Sequence, residues 1–544
     1  MIEVARNHGS ASELPDQSCD SGSNPSAAKY GRLRALAHRI YRDDRKLQLA
    51  LLAFMLLFYG ALLFAARGQS ARTTPLRLTF NSMLAHLMQG RFDVDLAVVG
   101  WEEGFLRAGR VYPYFGIWPA LLRLPLWIFH RMDIDLTPWS VLAAVCLAGM
   151  AKVRAVLLLR RHGMRSPIAG RATGLMLAYV LLVGSAIGQL NPSVYEEVIL
   201  WAYAFAAVFV YFAVKGIVNR GFGVGTLCGM ALCAGLALLT RVSTGIGVVV
   251  AMVLLLLVLA AEPYAAQCTA ESADFAAGRR SPVRRFLRAL AARCTLLPAG
   301  ILAALMAATG TVNYFRWGNP ATFANWDLYL GWSQAPDILE RMHTYGTFNI
   351  VRIPFNLVYY FFPFWVVHAT NSDLLLEGRW GRTLAAIELP PGSFLLTDML
   401  ALCFIALLTI ALWKRRSRGL PPAGRWALAV AIGLLAPCIL MLTAMWVAYR
   451  YRMEFYPEIE FLAFLGLYLT VTDSGALALF TRLRKWMTAA LTISIACSFF
   501  VLFLVDVGQS LPPDMGGQGL VRFYVQVTED HFHKIMVRHF TSHP

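Results

Sequence analysis

The sequence predicts an all-α polytopic membrane protein of about 11 transmembrane helices, and three observations carry that prediction. Hydrophobic side chains make up 58% of the 544 residues and charged ones only 15%, with a mean hydropathy of +0.55, whereas soluble domains carry about 25% charge. Apolar stretches near the roughly 20 residues needed to cross a bilayer recur along the whole chain. The connections between them alternate between short basic loops and longer mixed ones.

The chain opens with a polar, Ser-rich stretch and the basic run RLRALAHRIYRDDRK, so residues 1–46 are expected to form an uncleaved cytoplasmic tail rather than a signal peptide. Spans are expected over 47–66, 136–157, 172–190, 198–214 and 224–239, with six more beginning near Gly245, Leu296, Phe394, Trp426, Phe455 and Met487. The organisation that follows is a transmembrane module over 47–312 with a first outer loop at 67–135, an outer segment at 313–393, C-terminal helices over 394–505 and an outer tail at 506–544. One apolar stretch, 353–370, would reverse the later loops if it crossed. Its Tyr359, Tyr360 and Trp365 suit a helix lying in the outer interface.

The formal charge is +17, from 49 Lys and Arg against 32 Asp and Glu. In a soluble chain that excess would point to nucleic acid; in a membrane chain it first reports orientation. With the N-terminus inside, the tail and the loops around RRHGMR, KGIVNR, RRSPVRRFLRALAAR, KRRSRG and RLRK, counted through Arg171 and Arg425, hold 28 of the 49 basic residues on the cytoplasmic side. No nucleic-acid partner is needed to explain them. Cys146, Cys228, Cys233, Cys403, Cys438 and Cys497 fall in spans and Cys19, Cys268 and Cys294 inside, so no outer disulfide framework is expected.

Several function classes lack their motifs. GxxxxGK[ST], HExxH, CxxC and GxSxG are all absent, and His531, His533 and His539 of the tail match no zinc spacing. The span interiors read as nearly uncharged, which speaks against a transport pathway through the membrane.

The acids concentrate outside. Asp93, Asp95, Glu102 and Glu103 stand within eleven positions of the first outer loop, among Arg91, Arg107, Arg110, Tyr112 and Tyr114. Asp93 and Asp95 are placed on a loop, and Trp118 to Met132, with Arg123 and Arg131, reads as one amphipathic interfacial helix. Any one of these carboxylates is explained more readily by an ion pair with a neighbouring arginine. The cluster as a whole is what a sugar and phosphate site needs: aromatic faces for the ring, arginine forks for the phosphate and a carboxylate as general base. Glu196 and Glu197 stand at the mouth of the fourth span, as interfacial caps or, for Glu197, as a second acid or metal ligand facing the first loop. Arg241, Arg316, Arg352, Arg450 and Arg452 lie near outer span ends, where two or more converging could hold a phosphate; Arg450 and Arg452, two apart, should diverge, and Glu454 is placed to neutralise one of them.

These residues resemble a family. The acidic first outer loop, NYFRWGNP (Asn313–Pro320), YRYRMEFYPEIEFL (Tyr449–Leu462) and the run GRFDVDLAVVGWEEGFLRAGRVYPYFGIWPALLRLP are similar to elements of the GT-C glycosyltransferases, membrane enzymes that take a sugar from a polyprenyl-phosphate donor. The resemblance implies a GT-C-like bundle and inverting transfer to an envelope glycan or glycolipid on the periplasmic face of a bacterial inner membrane. It further implies a first-loop carboxylate as base, with the choice among Asp93, Asp95, Glu102 and Glu103 open and taken here in the order Asp95, Asp93, Glu103, and it places Arg241, Arg316, Arg352, Arg450 or Arg452 on the donor phosphate and Glu197, Arg110, Tyr112 and Tyr114 near the substrates. A divalent cation is left open, since acids are plentiful and some members work without one. The chain departs from the family in spacing: roughly 25 residues separate the first span from Asp93, where many members place an acidic pair almost at once. The rival readings are a lipid-linked sugar transporter and a non-catalytic envelope assembly partner.

Overall fold

The computed structural model describes residues 43–67, 75–187, 190, 192–261, 293–334, 336–362, 383–384, 386–387, 393–414 and 421–510. The remainder of the two ends, the loop with Cys268 and the tail histidines lie outside the described residues, as does Trp365. The chain divides into two compact units, residues 1–51 and 52–544. In the first, Asp43 caps a helix start, accepting from the backbone N–H groups of Arg45 and Lys46 at 3.0 and 3.3 Å.

In chain order the helices are α1 (Asp44–Arg67), α2 (Thr79–Leu87), α3 (Leu96–Glu103), a hairpin of β1 (Phe105–Arg107) and β2 (Arg110–Tyr112), then α4 (Trp118–Leu121) and α5 (Leu124–Ile128). Long helices follow: α6 (Thr137–His162), α7 (Pro167–Leu182), α8 (Val194–Val218), α9 (Val224–Thr240), α10 (Val242–Ala261) and α11 (Arg293–Trp317). The second half holds α12 (Pro336–Tyr345), α13 (Ile353–Phe361), β3 (Ala386–Ile387), α14 (Phe394–Thr397), α15 (Met399–Lys414), α16 (Pro422–Thr443), β4 (Trp446–Val447), α17 (Tyr456–Thr472) and α18 (Ser474–Ser510). Each of the eleven expected spans overlaps a helix. Seven of these helices, α1, α6, α8, α10, α11, α16 and α18, are long and apolar enough to cross a membrane, and α7, α9 and α15 are shorter apolar helices. The protein is a multi-pass membrane protein built almost wholly of helices.

Within the second unit, α6 packs on α8, α9 on α11, α8 and α10, α10 on α16, and α15 on α17. The 26 residues of α6 carry it roughly 39 Å at 1.5 Å per residue. It starts beside the first loop, where Arg123 donates to Thr137 Oγ1 at 3.2 Å, and ends where Met164 N–H donates to Val471 O at 2.8 Å, so the two ends of the bundle are distinct.

Four expectations are corrected. The stretch from Trp118 is not one amphipathic helix, because Pro125 lacks an N–H and its ring would meet the carbonyl of Leu121, so the chain restarts as α5. Tyr359 and Tyr360 do not face a headgroup region. They are fully buried, packed on each other at 4.9 Å with Tyr360 on Phe455, and the nine residues of α13 span no more than about 14 Å. RLRK is not a loop, since Arg482, Arg484 and Lys485 lie inside the 37-residue α18. Finally, the spans are not free of charge. Because α6 runs on to His162, Lys152 sits ten residues inside it, donating to Glu460 of α17 at 3.1 Å and to Ser185 at 2.7 Å, while Tyr203 donates to the other Glu460 oxygen at 2.5 Å. A second buried set joins Asp398 to Arg452 at 2.8 Å, Tyr179 at 2.8 Å and Tyr456 at 3.0 Å.

The first loop is held to the bundle by a buried ion pair. Arg123, 0% exposed, donates both terminal nitrogens to Glu197 of α8, also 0% exposed, with Nη2 at 2.8 Å from Oε2. Breaking such a pair from one side leaves an uncompensated buried charge, at a cost of about 3–5 kcal/mol, whereas replacing both partners by apolar groups is often near neutral. Arg123→Met is therefore expected to lower the thermal unfolding temperature of the detergent-solubilised protein markedly, and Arg123→Met with Glu197→Met to restore most of it. Equal losses in the single and double variants would show that the pair does not anchor the loop.

Candidate active site

Two acidic centres lie at opposite ends of α3. The first is built on α2, where Ser82 and His86, four residues apart, share one helix face. Ser82 Oγ donates to Asp95 Oδ2 at 2.7 Å and accepts from the Asp95 N–H at 3.0 Å, which fixes Asp95 at the N-cap of α3. His86 stands between the two aspartates, with Nδ1 3.4 Å from Asp93 Oδ2 and Nε2 3.4 Å from Asp95 Oδ1. The bridge between Val94 and Val111 brings the β2 strand alongside, and Arg110 Nη1 comes within 3.9 Å of Asp93.

The two aspartates differ in environment. Asp93 is 4% exposed and held by Arg91 through both oxygens, with Nε at 3.1 Å. Burial pushes its carboxyl up, but the Arg91 hydrogen bonds and the nearby His86 outweigh that and hold it below the ordinary carboxylate range. It is an ion-pair partner and a weak base. Asp95 keeps its side chain 60% exposed. The carboxylates approach opposite edges of the imidazole, so they do not converge on one cation; among the described residues no three His, Cys, Asp or Glu side chains form a cation site.

The second centre surrounds Glu103, where α3 ends. Gly100, with φ +63°, kinks α3 ahead of it, a conformation a side chain would strain. Glu103 Oε1 accepts from Tyr195 OH at the start of α8, and Tyr114 is its second hydrogen-bonding neighbour. Arg450 lies 4.8 Å over the Tyr195 ring and 5.5 Å from the Tyr451 ring; Arg241 lies 5.4 Å from the same Tyr451 ring. Two guanidiniums thus approach one aromatic ring, and one of them, Arg450, also acts on the carboxylate through its charge. Desolvation raises the Glu103 pKa to about 7, against the Tyr195 hydrogen bond and the positive field of Arg450. Burial likewise pushes the Tyr114 phenol well above its ordinary value, with the Glu103 charge adding to the shift, so it stays a donor.

Close packing sets this geometry. A Cβ on Gly116 would stand 2.2 Å from Thr240 O, so only glycine lets the first loop press on the end of α9, where Arg241 begins the next turn. Ile117 N–H donates to Leu239 O at 3.1 Å at the same junction. From the other side the loop is gripped by the segment after α11: Leu330 N–H donates to Gly104 O at 2.9 Å, Tyr329 OH to Glu102 O at 2.6 Å and Arg107 to Arg316 O at 2.8 Å. Phe105 sits among Tyr114, Trp317, Trp326 and Tyr329, with ring centroids 5.2 to 6.0 Å away, and Trp326 stacks 4.7 Å from Trp446.

The structure brings together Glu103, Tyr114, Arg241 and Arg450 from the expected set and sets others apart. Arg316 is buried, donating to Phe115 O at 2.6 Å. Arg352 is saturated by the carbonyls of Thr383, Thr347, Thr443 and Gly346 at 2.7 to 3.1 Å. Arg452 is taken by Asp398, Thr397 and Tyr449. None of these three can turn to a phosphate without abandoning buried partners. Arg450 and Arg452 diverge as expected, because the 3₁₀ turn of Tyr449–Glu454 has about three residues per turn. Glu454 neutralises neither; it accepts from Arg241 at 2.5 Å, Ser243 at 2.6 Å and Thr244 at 2.5 Å. Glu197 faces the first loop but is fully engaged by Arg123 and is no substrate ligand. Glu196 follows the N-cap Ser193 by three residues and accepts from its hydroxyl, at the start of α8. Tyr112 is buried against Trp317, and Arg110 stays exposed near Asp93. His86, Tyr195 and Tyr451 were not anticipated. The signals available were the four-residue spacing of Ser82 and His86 and the position of Tyr195 next to the Glu pair.

No protein-family model and no curated protein sequence matches the chain. Among solved structures it is similar to archaeal oligosaccharyltransferase AglB from Archaeoglobus fulgidus in complex with an inhibitory peptide and a dolichol-phosphate, at 14% identity and a TM-score of 0.39 over 85% of this chain and 56% of that one. It is also similar to the Archaeoglobus fulgidus oligosaccharyltransferase tethered by a disulfide to an acceptor peptide containing the NVT sequon, at 13% identity and a TM-score of 0.40 over 85% and 55%. The chain thus spans little more than half the length of either, and what those proteins bind belongs to them.

A carboxyl with a pKa of about 7 is protonated below neutrality and ionised above it. Infrared difference spectra across neutral pH are expected to show a protonated carboxyl band that disappears with a midpoint near 7 and is missing from Glu103→Gln. A midpoint near 4.5 would place the group in water instead.

Proposed function

We propose that the protein is an inverting glycosyltransferase of GT-C type that moves a sugar from a polyprenyl-phosphate donor to an envelope glycan or glycolipid on the periplasmic face of a bacterial inner membrane. The observation that carries the reading is the Glu103 centre: a carboxyl poised near neutrality in the field of Arg450, which shares the Tyr451 ring with Arg241. The chemistry needs these parts. Glu103 takes the proton of the acceptor hydroxyl as its oxygen attacks the anomeric carbon. The bond from that carbon to the phosphate oxygen breaks, and the polyprenyl phosphate leaves with the electron pair. Arg450 and Arg241 hold the charge that develops there. Tyr195 and Tyr114 orient the carboxylate.

The order of candidate bases is therefore revised to Glu103 first, Asp95 second and Asp93 last. Asp95, exposed and tied to Ser82 and His86, is assigned to the acceptor side. The transporter reading draws on the charged groups inside the bundle. Lys152, Glu460, Asp398 and Arg452 favour cross-helix ties, because each is hydrogen-bonded to a neighbouring helix; Glu458 Oε2 is the exception, with no partner among the described residues.

The test is transfer by the purified protein supplied with polyprenyl-phosphate sugars and envelope acceptors. The rate is expected to rise with pH through about 7, as Glu103 ionises. Loss of a general base costs typically about 10²–10⁴-fold, so Glu103→Gln is expected to fall by that factor and lose the pH limb, with thermal unfolding unchanged. Full activity of Glu103→Gln would remove the assignment. Arg450→Ala is expected to lower turnover while acceptor KM holds, the mark of lost leaving-group stabilisation; a change confined to acceptor KM would move Arg450 to the acceptor side.

A further inference from the structure

At the opposite end of the bundle, α7 and α18 open a cleft of about 590 Å³ that the transfer reading does not use. Its walls are two facing stripes at helical spacing: Arg171 and Leu175 on α7, and Phe480, Arg484 and Thr488 on α18, with Lys485 beside them. The floor is apolar, since Phe480 is 1% exposed and stacks on Phe404 at 6.3 Å. The rim is cationic. Arg171, Arg484 and Lys485 are exposed, and among the described residues no carboxylate pairs with any of them.

Three exposed cations gathered on one rim raise the local positive potential, which attracts an anion. The adjoining Trp486 is 75% exposed, as suits a ring at the headgroup level of a bilayer. The cleft lies at the end where α6 finishes and α18 begins, the end that the basic loops mark as cytoplasmic. An apolar floor between two apolar helices under a cationic rim at that level has the form of an amphiphile site rather than a site for a free ion.

We infer that this cleft binds an anionic phospholipid of the cytoplasmic leaflet, its phosphate held by Arg171, Arg484 and Lys485 and its upper acyl segment lying over Leu175 and Phe480. The site is separate from the Glu103 centre and stands or falls independently of the transferase reading.

Native mass spectrometry of the full-length protein in detergent tests this, with phosphatidylglycerol, cardiolipin or phosphatidylcholine added. The wild type is expected to retain the two anionic lipids in preference to phosphatidylcholine. Each charge near a membrane surface contributes enough for roughly a fivefold change in binding, so Arg484→Gln is expected to weaken retention by about that factor. Arg171→Gln, Arg484→Gln and Lys485→Gln together should erase the preference. Arg484→Lys should keep most of it, and Arg220→Gln, a cation at the same end outside the cleft, should change nothing. An unchanged preference in the triple variant would overturn the site, as would equal retention of phosphatidylcholine. Displacement of the lipid by inorganic phosphate alone would show an anion site with no lipid specificity and would overturn the assignment to a phospholipid.

Discussion

The buried pair of Arg123 and Glu197 is the constraint on which the working end depends. A carboxylate and a guanidinium taken fully out of water tolerate little displacement, because every lost hydrogen bond leaves an unscreened charge. That stiffness fixes the first loop against α8. Glu197 is two residues from Tyr195, so the tie that holds the loop also sets where Tyr195 meets Glu103. From Glu103 the geometry extends to Arg450 and Tyr451 on the turn before α17, and from Tyr451 to Arg241 after α9. Four separate stretches of chain thus meet around one carboxyl.

The arginines divide by what the backbone around them needs. Arg352 sits where carbonyls from three stretches of chain converge, and the donors of one planar group reach four of them at once. Arg452 neutralises a buried aspartate, and Arg316 ties α11 to the first loop. Such residues build the frame. Arg241, although its Nε is paired with Glu454, and Arg450 both remain partly exposed and share the Tyr451 ring. The same side chain is cement in one place and a candidate ligand in another, and local carbonyl supply decides between them.

Much of the architecture is readable from composition. The eleven apolar stretches correspond to helices, and the acids of the first loop do gather at one end, because hydrophobic length and charge are local properties that a bilayer sorts directly. Single side chains fared less evenly. Asp95 comes first among the bases expected from the sequence, yet Glu103 has the raised pKa, because burial strips its carboxyl of water and outweighs the hydrogen bond from Tyr195, 92 residues away. Lys152, inside α6, is a buried partner of Glu460, more than 300 residues away.

The sequence by itself determined that the chain is a multi-pass membrane protein, where its helices lie and that its acidic loop is unusual. Tertiary structure alone decided which carboxyl is desolvated, which arginines are consumed by carbonyls and which two converge. The reason is physical. Helix formation and membrane partition follow from short windows of residues, whereas desolvation and charge pairing are set by atoms within a few ångströms that here come from segments distant in the chain.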